Sequence, residues 1–459
     1  MKKIFKDKEF FLTVIALVIP ITIQNLISSS LNMVDNLMIG KLGESAIAAV
    51  GLVNQYFFVF TLCLAGINAG ASIFISQFWG KEDIPNIRKM IGLDMILSIL
   101  ASLVFSSLVF ISPENILKIF TQNQEVIKLG TEYIKIISIT FIFSAITNVY
   151  STTLRSIGIA NVPMFGSIIG VLTNAFLNWI LIFGNLGFPA MGVAGAAIAT
   201  SIARFVEMTF IVIFAYRTND VIPSKIKEIF GFNFDFVKVY FKTSSAVIIN
   251  ELIWSLGLSA YSIIYAKIGI REVASMQIAN TVNNVFTVLC IGIASAAAII
   301  IGNKIGEDNE ELAIDYAMKL GVLAPIIGLI SGIGLWIASP WIVSIFNINK
   351  NTIDMTIMVL RIMAVFAPLR FFNVLMIVGV FRGGGDTTYS MLVQLGTVWC
   401  FAIPAGYIAA VYFNMSLINV FFIISLEEII KIGFEIKRLH SQKWIKNVVN
   451  SLDYANTTA

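Results

Sequence analysis

Histidine and cysteine are nearly absent from this chain, which holds one histidine, His440, and three cysteines, Cys63, Cys290 and Cys400, in 459 residues. The cysteines are odd in number, lie inside apolar runs and show no metal-ligand spacing, so they read as small core hydrophobes. With so little His and Cys, zinc chemistry and His-dependent acid–base catalysis have no residues to work with. Charge is scarce as well: Asp, Glu, Lys and Arg make up 13% of the chain, against about a quarter in a soluble domain. The formal net charge of +4 is too small to mark a nucleic-acid surface. The glycine-rich stretch Arg382-Gly383-Gly384-Gly385-Asp386-Thr387 lacks the rest of a phosphate-binding loop and reads as a tight turn.

What fills the chain instead is apolar: 58% of its residues are hydrophobic, in runs long enough for a bilayer, which needs about 20 mostly apolar residues per helix. Twelve spans are expected, at roughly 11–38, 46–78, 88–112, 126–154, 161–184, 191–216, 236–264, 273–302, 312–338, 351–381, 387–412 and 416–436. Lys2, Lys3, Lys6 and Lys8 precede the first run, which continues through Pro20 without a cleavage pattern and reads as an uncleaved helix that the proline can bend. Starting inside, the loops place eighteen Lys and Arg on the inner side and six on the outer, so both termini are expected in the cytoplasm and the protein in the inner membrane.

Residues 38–80 repeat at 264–306 with a constant offset of 226. Lys41/Lys267, Gly43/Gly269, Asn54/Asn280, Phe60/Phe286, Gly66/Gly292 and Gly80/Gly306 are identical pairs, and shared aliphatic composition does not put Lys, Asn and Gly in register. Farther on, Leu154-Arg155 and Gly158 match Phe381-Arg382 and Gly385 at an offset of 227. The expected organisation is an all-α membrane protein of two pseudo-symmetric six-helix lobes around a central cleft: 1–216, a cytoplasmic linker at 217–235, a second lobe at 236–438 and a cytoplasmic tail at 439–459. Such lobes open a cleft to either side by rocking, which is the logic of a carrier.

A carboxylate at mid-membrane costs roughly 2.5–3.5 kcal/mol even on the mild insertion scale. Two such acids stand out, Asp35 and Glu251, and neither has a basic residue three or four positions away. In low dielectric an unpaired acid takes up a proton or holds a cation, unless it sits at a span end facing water. Asn174 and Asn178 are four apart, on one helical face, and their amide oxygens suit a hard cation such as Na+ beside Asp35; an interhelical hydrogen-bond pair is the alternative. Asn54, Gln55 and Asn280, with Phe57, Trp254, Tyr261 and Met276, are candidates to line a cleft for flat apolar cations, or else serve as packing between helices. Arg204 with Glu207, Asp315 with Lys319, and Glu427 and Glu428 with Lys431 have the spacing of local pairs.

The run Val34-Asp35-Asn36-Leu37-Met38-Ile39-Gly40-Lys41-Leu42-Gly43 resembles the first-helix pattern of multidrug and toxin extrusion (MATE) proteins. Ala69-Gly70-Ala71-Ser72, Ser76-Gln77-Phe78-Trp79-Gly80, Leu154-Arg155-Ser156-Ile157-Gly158, Gly195 to Thr200, Asn250-Glu251 with Trp254, and Phe381 to Thr387 extend the likeness over essentially the whole chain. The resemblance implies two six-helix lobes and export of hydrophobic organic cations in exchange for Na+ or H+; a monomer with no other cofactor is expected. It assigns the family's first-helix acid to Asp35, its fifth-helix polar pair to Asn174 and Asn178, and the seventh-helix acid of the NorM-like branch to Glu251. Two positions depart from the pattern. Asn178 stands where some members have Asp, and Arg370-Phe371-Phe372-Asn373 lacks the NorM-like acid of the tenth helix. A lipid-linked oligosaccharide flippase of the same superfamily is the nearest rival, and an intramembrane enzyme the rival from another class.

Overall fold

The computed structural model describes residues 7–218, 220–223, 225–346 and 348–450, without the side chains of 31–34, 218 and 226. Lys2, Lys3, Lys6 and the end of the tail, 451–459, lie outside the described residues. The described chain is helical throughout, and its one isolated bridge joins Gly385 to Ile445. In order the helices are α1 (Lys8–Ile39), α2 (Glu44–Gly80), α3 (Ile84–Ile111), α4 (Pro113–Lys118), α5 (Gln124–Ile137), α6 (Thr140–Ser156), α7 (Asn161–Leu181) and α8 (Gly192–Thr218). After the short α9 (Ile226–Ile229) come α10 (Phe234–Ile268), α11 (Ile270–Gly306), α12 (Glu310–Ser344), α13 (Lys350–Val374), α14 (Thr387–Leu395), α15 (Ile403–Tyr407), α16 (Leu417–Ser425) and α17 (Glu427–His440). π-helical turns at Leu375–Phe381, Gly396–Ala402 and Ile408–Tyr412 prolong α13, join α14 to α15 and follow α15.

Among the described residues ten helices are long and apolar enough to cross a bilayer, and an eleventh span follows if α5 and α6 count as one. That pair, expected as a single span, bends by 48° between Ile137 and Thr140. The cause is local: the Ser138 hydroxyl donates to the Lys135 carbonyl (2.7 Å) and the Thr140 hydroxyl to that of Ile137 (2.6 Å), diverting carbonyls from the helical ladder. The run at 416–436, expected as one helix, divides into α16 and α17 at Leu426, where Glu427, Glu428, Lys431 and Glu435 end its apolar character.

The chain forms two compact bodies. The first-repeat body is Ile19–Tyr240; the second-repeat body joins the described residues up to Val18 to those from Phe241 onward. In the first, α2, α3, α5, α6 and α8 enclose a core around Phe60, Phe141, Leu64 and Tyr133. In the second, α11, α12, α13 and α16 enclose one around Leu335, Leu360, Met363 and Val420. Phe10 packs on Tyr316, and Asp7 pairs with Lys319 at 2.5 Å, which places the start of α1 in the second-repeat body.

The repeat read from α2 and α11 continues into the helices that follow. Glu82 and Asp308 both take left-handed backbone (φ 58° and 54°), and Asp83 and Asn309 then cap α3 and α12 with their side-chain oxygens. Each of these pairs is again 226 residues apart.

Candidate functional site

The first-repeat body brings Asp35, Asn174 and Asn178 together as expected from their spacing and from the family likeness. Asp35 is 6% exposed, and both asparagines are fully buried. Asn178 Nδ2 donates to Asp35 Oδ1 at 2.6 Å and to Asn174 Oδ1 at 3.0 Å, while Asn174 Nδ2 donates to the Thr200 hydroxyl at 3.1 Å. The chain of contacts thus runs from α1 through α7 to α8. Small residues permit it: a Cβ on Gly170 would press on the Glu207 side chain, and one on Gly195 would sit 2.5 Å from the Leu181 carbonyl. The backbones of α7 and α8 therefore approach closely enough for short polar side chains to meet.

Asn178 Oδ1 is buried and has no hydrogen-bond partner among the described residues. Turned about its last torsion, that amide would present oxygen beside the Asp35 carboxylate. One carboxylate and two amide oxygens supply hard oxygen donors that suit Na+ as cargo, and the carboxylate alone suits a proton. Beyond Thr200 a small pocket is lined by Gly170, Asn174, Thr200, Arg204 and Glu207. Its far wall is an ion pair, Arg204 with Glu207 at 2.9 Å, and the Ser167 hydroxyl donates to Glu207 at 2.9 Å. Arg204, whose charge also acts on Asp35, is thus paired with Glu207. Thr200 was not singled out as a ligand by spacing, although it closes the Gly195–Thr200 motif quoted above.

Glu251 has a different fate. Sequence spacing leaves it unpaired, but Arg382 Nη2 donates to its Oε1 at 2.8 Å, from 131 residues farther along the chain. The second acid is therefore half of an ion pair within the second-repeat body.

Of the expected cleft residues, Asn54, Gln55 and Phe57 belong to the first-repeat body and Trp254, Tyr261, Met276 and Asn280 to the second. Met276 is buried in the apolar core with Ile264 and Tyr265, so it packs the body and lines no open surface. Phe57 stacks on Phe141 at the edge of the other core. Asn54 and Trp254 are half-buried, Gln55 and Asn280 exposed, and the Tyr261 hydroxyl donates to Glu427.

A further acid within an apolar helix is Asp94, on α3. It is fully buried, and its one polar neighbour of note among the described residues is Ser98, one turn farther along α3. The signal that finds it is a carboxylate within an apolar run. At offset 226 its counterpart is the buried Leu320, so packing does not require an acid there.

Residues 20–180 and 246–408 match the MatE family, which covers most of the chain. Over 447 residues it is 26% identical to "Probable multidrug resistance protein NorM" of Thermotoga maritima, spanning 95% of this chain and 93% of that one. It is 22% identical over 440 residues to "Uncharacterized transporter YisQ" of Bacillus subtilis, spanning 96% of each. Among solved structures it is similar to MATE in complex with MaL6 (TM-score 0.85, 22% identity). It is also similar to the outward-facing conformation of a multidrug resistance MATE family transporter (TM-score 0.84, 21% identity), and in both cases 94% of this chain and 96% of the other are covered. The fold, the buried polar site and the matched residues agree: this multi-pass membrane protein is a transporter, not an enzyme, and belongs to the MatE family.

Proposed function

We propose that the chain exports hydrophobic organic cations in exchange for Na+ or H+, by alternating access, as a monomer in the inner membrane with both termini cytoplasmic. The observation that carries this reading is the buried constellation Asp35–Asn178–Asn174–Thr200. The carboxylate there is taken out of water with amides as its hydrogen-bond partners, and the cation that acts on it, Arg204, is shared with Glu207; it costs least when a proton or Na+ neutralises it. An incoming cation and a cationic substrate contend for that one negative charge, so loading the ion from outside lowers affinity for the substrate and releases it outward. The likeness to the Thermotoga relative, a probable multidrug resistance protein, supports the substrate class. Against a lipid-linked oligosaccharide as substrate stands the pairing of three of the basic side chains within the spans. Arg204, Arg382 and Lys431 are each held by a carboxylate, which leaves them committed rather than open to a pyrophosphate.

The test is uptake of a fluorescent organic cation into everted membrane vesicles, driven separately by imposed Na+ and pH gradients. Accumulation is expected with at least one gradient and should collapse when the matching ionophore is added. No accumulation under either gradient, with the protein present in the membrane, would contradict the reading.

A further inference from the structure

The second-repeat body holds a buried cluster that no part of the Asp35 site explains. Glu427, Lys431 and Glu435 are buried on α17, Glu435 completely. The Tyr261 hydroxyl donates to Glu427 Oε2 at 3.0 Å, and Lys431 Nζ lies 3.3 Å from Glu427 Oε1 and 3.9 Å from Glu428 Oε2. Asn373, in the stretch that lacks the tenth-helix acid, donates from Nδ2 to Glu428 Oε2 at 2.7 Å. Neither carboxylate oxygen of Glu435 has a hydrogen-bond partner among the described residues.

Charge does not balance here. Three carboxylates on α17 share one ammonium, and Lys431 is the cation that acts on both Glu427 and Glu435. The packed elements offer little more. From α10 come Tyr261 and Tyr265, and from α11 comes Cys290, beside which stand Arg370 of α13 and Glu428. Arg361 of α13 stacks on Trp336, and Tyr389 of α14 lies under Arg438, which is paired with Asp386. A buried surplus of negative charge in low dielectric calls for a small cation or a proton.

The repeat supplies an independent reason. The 226-residue step takes Asp35 to Tyr261. The 227-residue step pairs Gly158 with Gly385, both in left-handed backbone (φ 87° and 79°). Applied to α8 and α17, it takes Thr200 to Glu427 and Arg204 to Lys431. In one body the acid sits on the repeat's first helix and the hydroxyl on its sixth; in the other they are exchanged.

We propose that Tyr261, Glu427, Lys431 and Glu435 form a second site for a small monovalent cation, a proton or Na+, in which Lys431 is a tethered competitor. A cation reaching Glu427 frees the ammonium to move toward Glu435, one turn on. The analogy rests on reading Asp35 as a cation site, but the cluster itself does not, and the experiment keeps them apart.

Cation binding is measured at equilibrium on the purified full-length chain: radiolabelled Na+ by dialysis, and proton release or uptake with an indicator dye in weak buffer. Lys431→Met removes the competitor and is expected to raise cation affinity about tenfold, the size of a modest coupling, with a melting midpoint that rises on adding Na+ or on acidification. Whichever ion does this is the ligand. Glu427→Gln and Glu435→Gln should each lower the capacity, while Asp35→Asn removes a separate part of it. Unchanged affinity in Lys431→Met, or full capacity in both glutamine variants, would overturn the proposal. Should Lys431→Met fold only with cation present, that too supports it. Should it not fold at all, the charge-balanced Lys431→Met/Glu427→Gln double variant decides: loss of the second capacity supports the proposal and its retention overturns it. Loss of capacity in the glutamine variants but not in Asp35→Asn would retain this site and refute the Asp35 one.

Discussion

Asp35→Asn is expected to abolish ion-driven export while leaving the protein folded. Asparagine keeps the shape and still accepts the bond from Asn178, 2.6 Å away in the native site. What it loses is a charge-assisted hydrogen bond, a contribution of about 1.5–3 kcal/mol, offset by no longer burying a carboxylate. Transport has more to lose. A membrane voltage supplies about 2.3 kcal/mol per charge per 100 mV, and a tenfold ion gradient about 1.4 kcal/mol. Together, one ion exchanged for a neutral substrate sustains roughly a 500-fold substrate gradient. In Asp35→Asn that ratio should fall to near unity. For a monovalent cationic drug, one-for-one exchange moves no net charge and leaves only the roughly tenfold ion-gradient contribution. Strong export of such drugs then needs two ions, which the cluster around Glu427 would accommodate. Accumulation ratios in proteoliposomes, with voltage and ion gradient set independently, check this; an unchanged ratio in Asp35→Asn removes Asp35 from the coupling.

Trp444→Ala is expected to destabilise the second-repeat body by about 3–5 kcal/mol, the usual range for truncating a buried aromatic. Trp444 is 0% exposed although it follows the last helix. Its indole Nε1 donates to the Leu439 carbonyl at 3.2 Å, and its ring lies so near Gly384 that a Cβ there would sit 2.6 Å away. Beside it the Lys446 amide donates to the Gly384 carbonyl at 2.8 Å, and Asp386, 1% exposed, takes Arg438 at 2.7 Å and Lys446 at 2.5 Å. The glycine turn at 383–385 is thus the seat of the tail, and Arg382 at its start holds Glu251. Losing the tryptophan should lower the melting midpoint and loosen the Arg382–Glu251 pair. Thermal unfolding in detergent, followed by the remaining tryptophans, measures it; a midpoint equal to that of the native chain would show that the tail adds nothing.

How far these features could be read in the sequence depended on their range along the chain. Helices such as α2 and α12 are legible because each is a long apolar run, and the α2/α11 duplication because Lys, Asn and Gly recur at a fixed step. Asn174 and Asn178 are legible because four residues make one helical turn. Glu251 looks like a lone acid in the sequence because its partner comes from 131 residues away, beyond any periodicity. The break between α5 and α6 turns on two hydroxyls bonding back to carbonyls, which apolar averaging hides. Trp444 looks like part of a polar tail because the glycines that receive it lie about sixty residues earlier in the chain.

The most direct measurement is the equilibrium binding of a fluorescent organic cation to the purified protein, titrated with Na+ and with acid, in native and Asp35→Asn forms. The native protein should release the dye as one of those ions is added, and Asp35→Asn should bind it with an affinity that no longer follows that ion. Equal ion dependence in the two proteins would contradict the claim that small cations and substrate contend for Asp35.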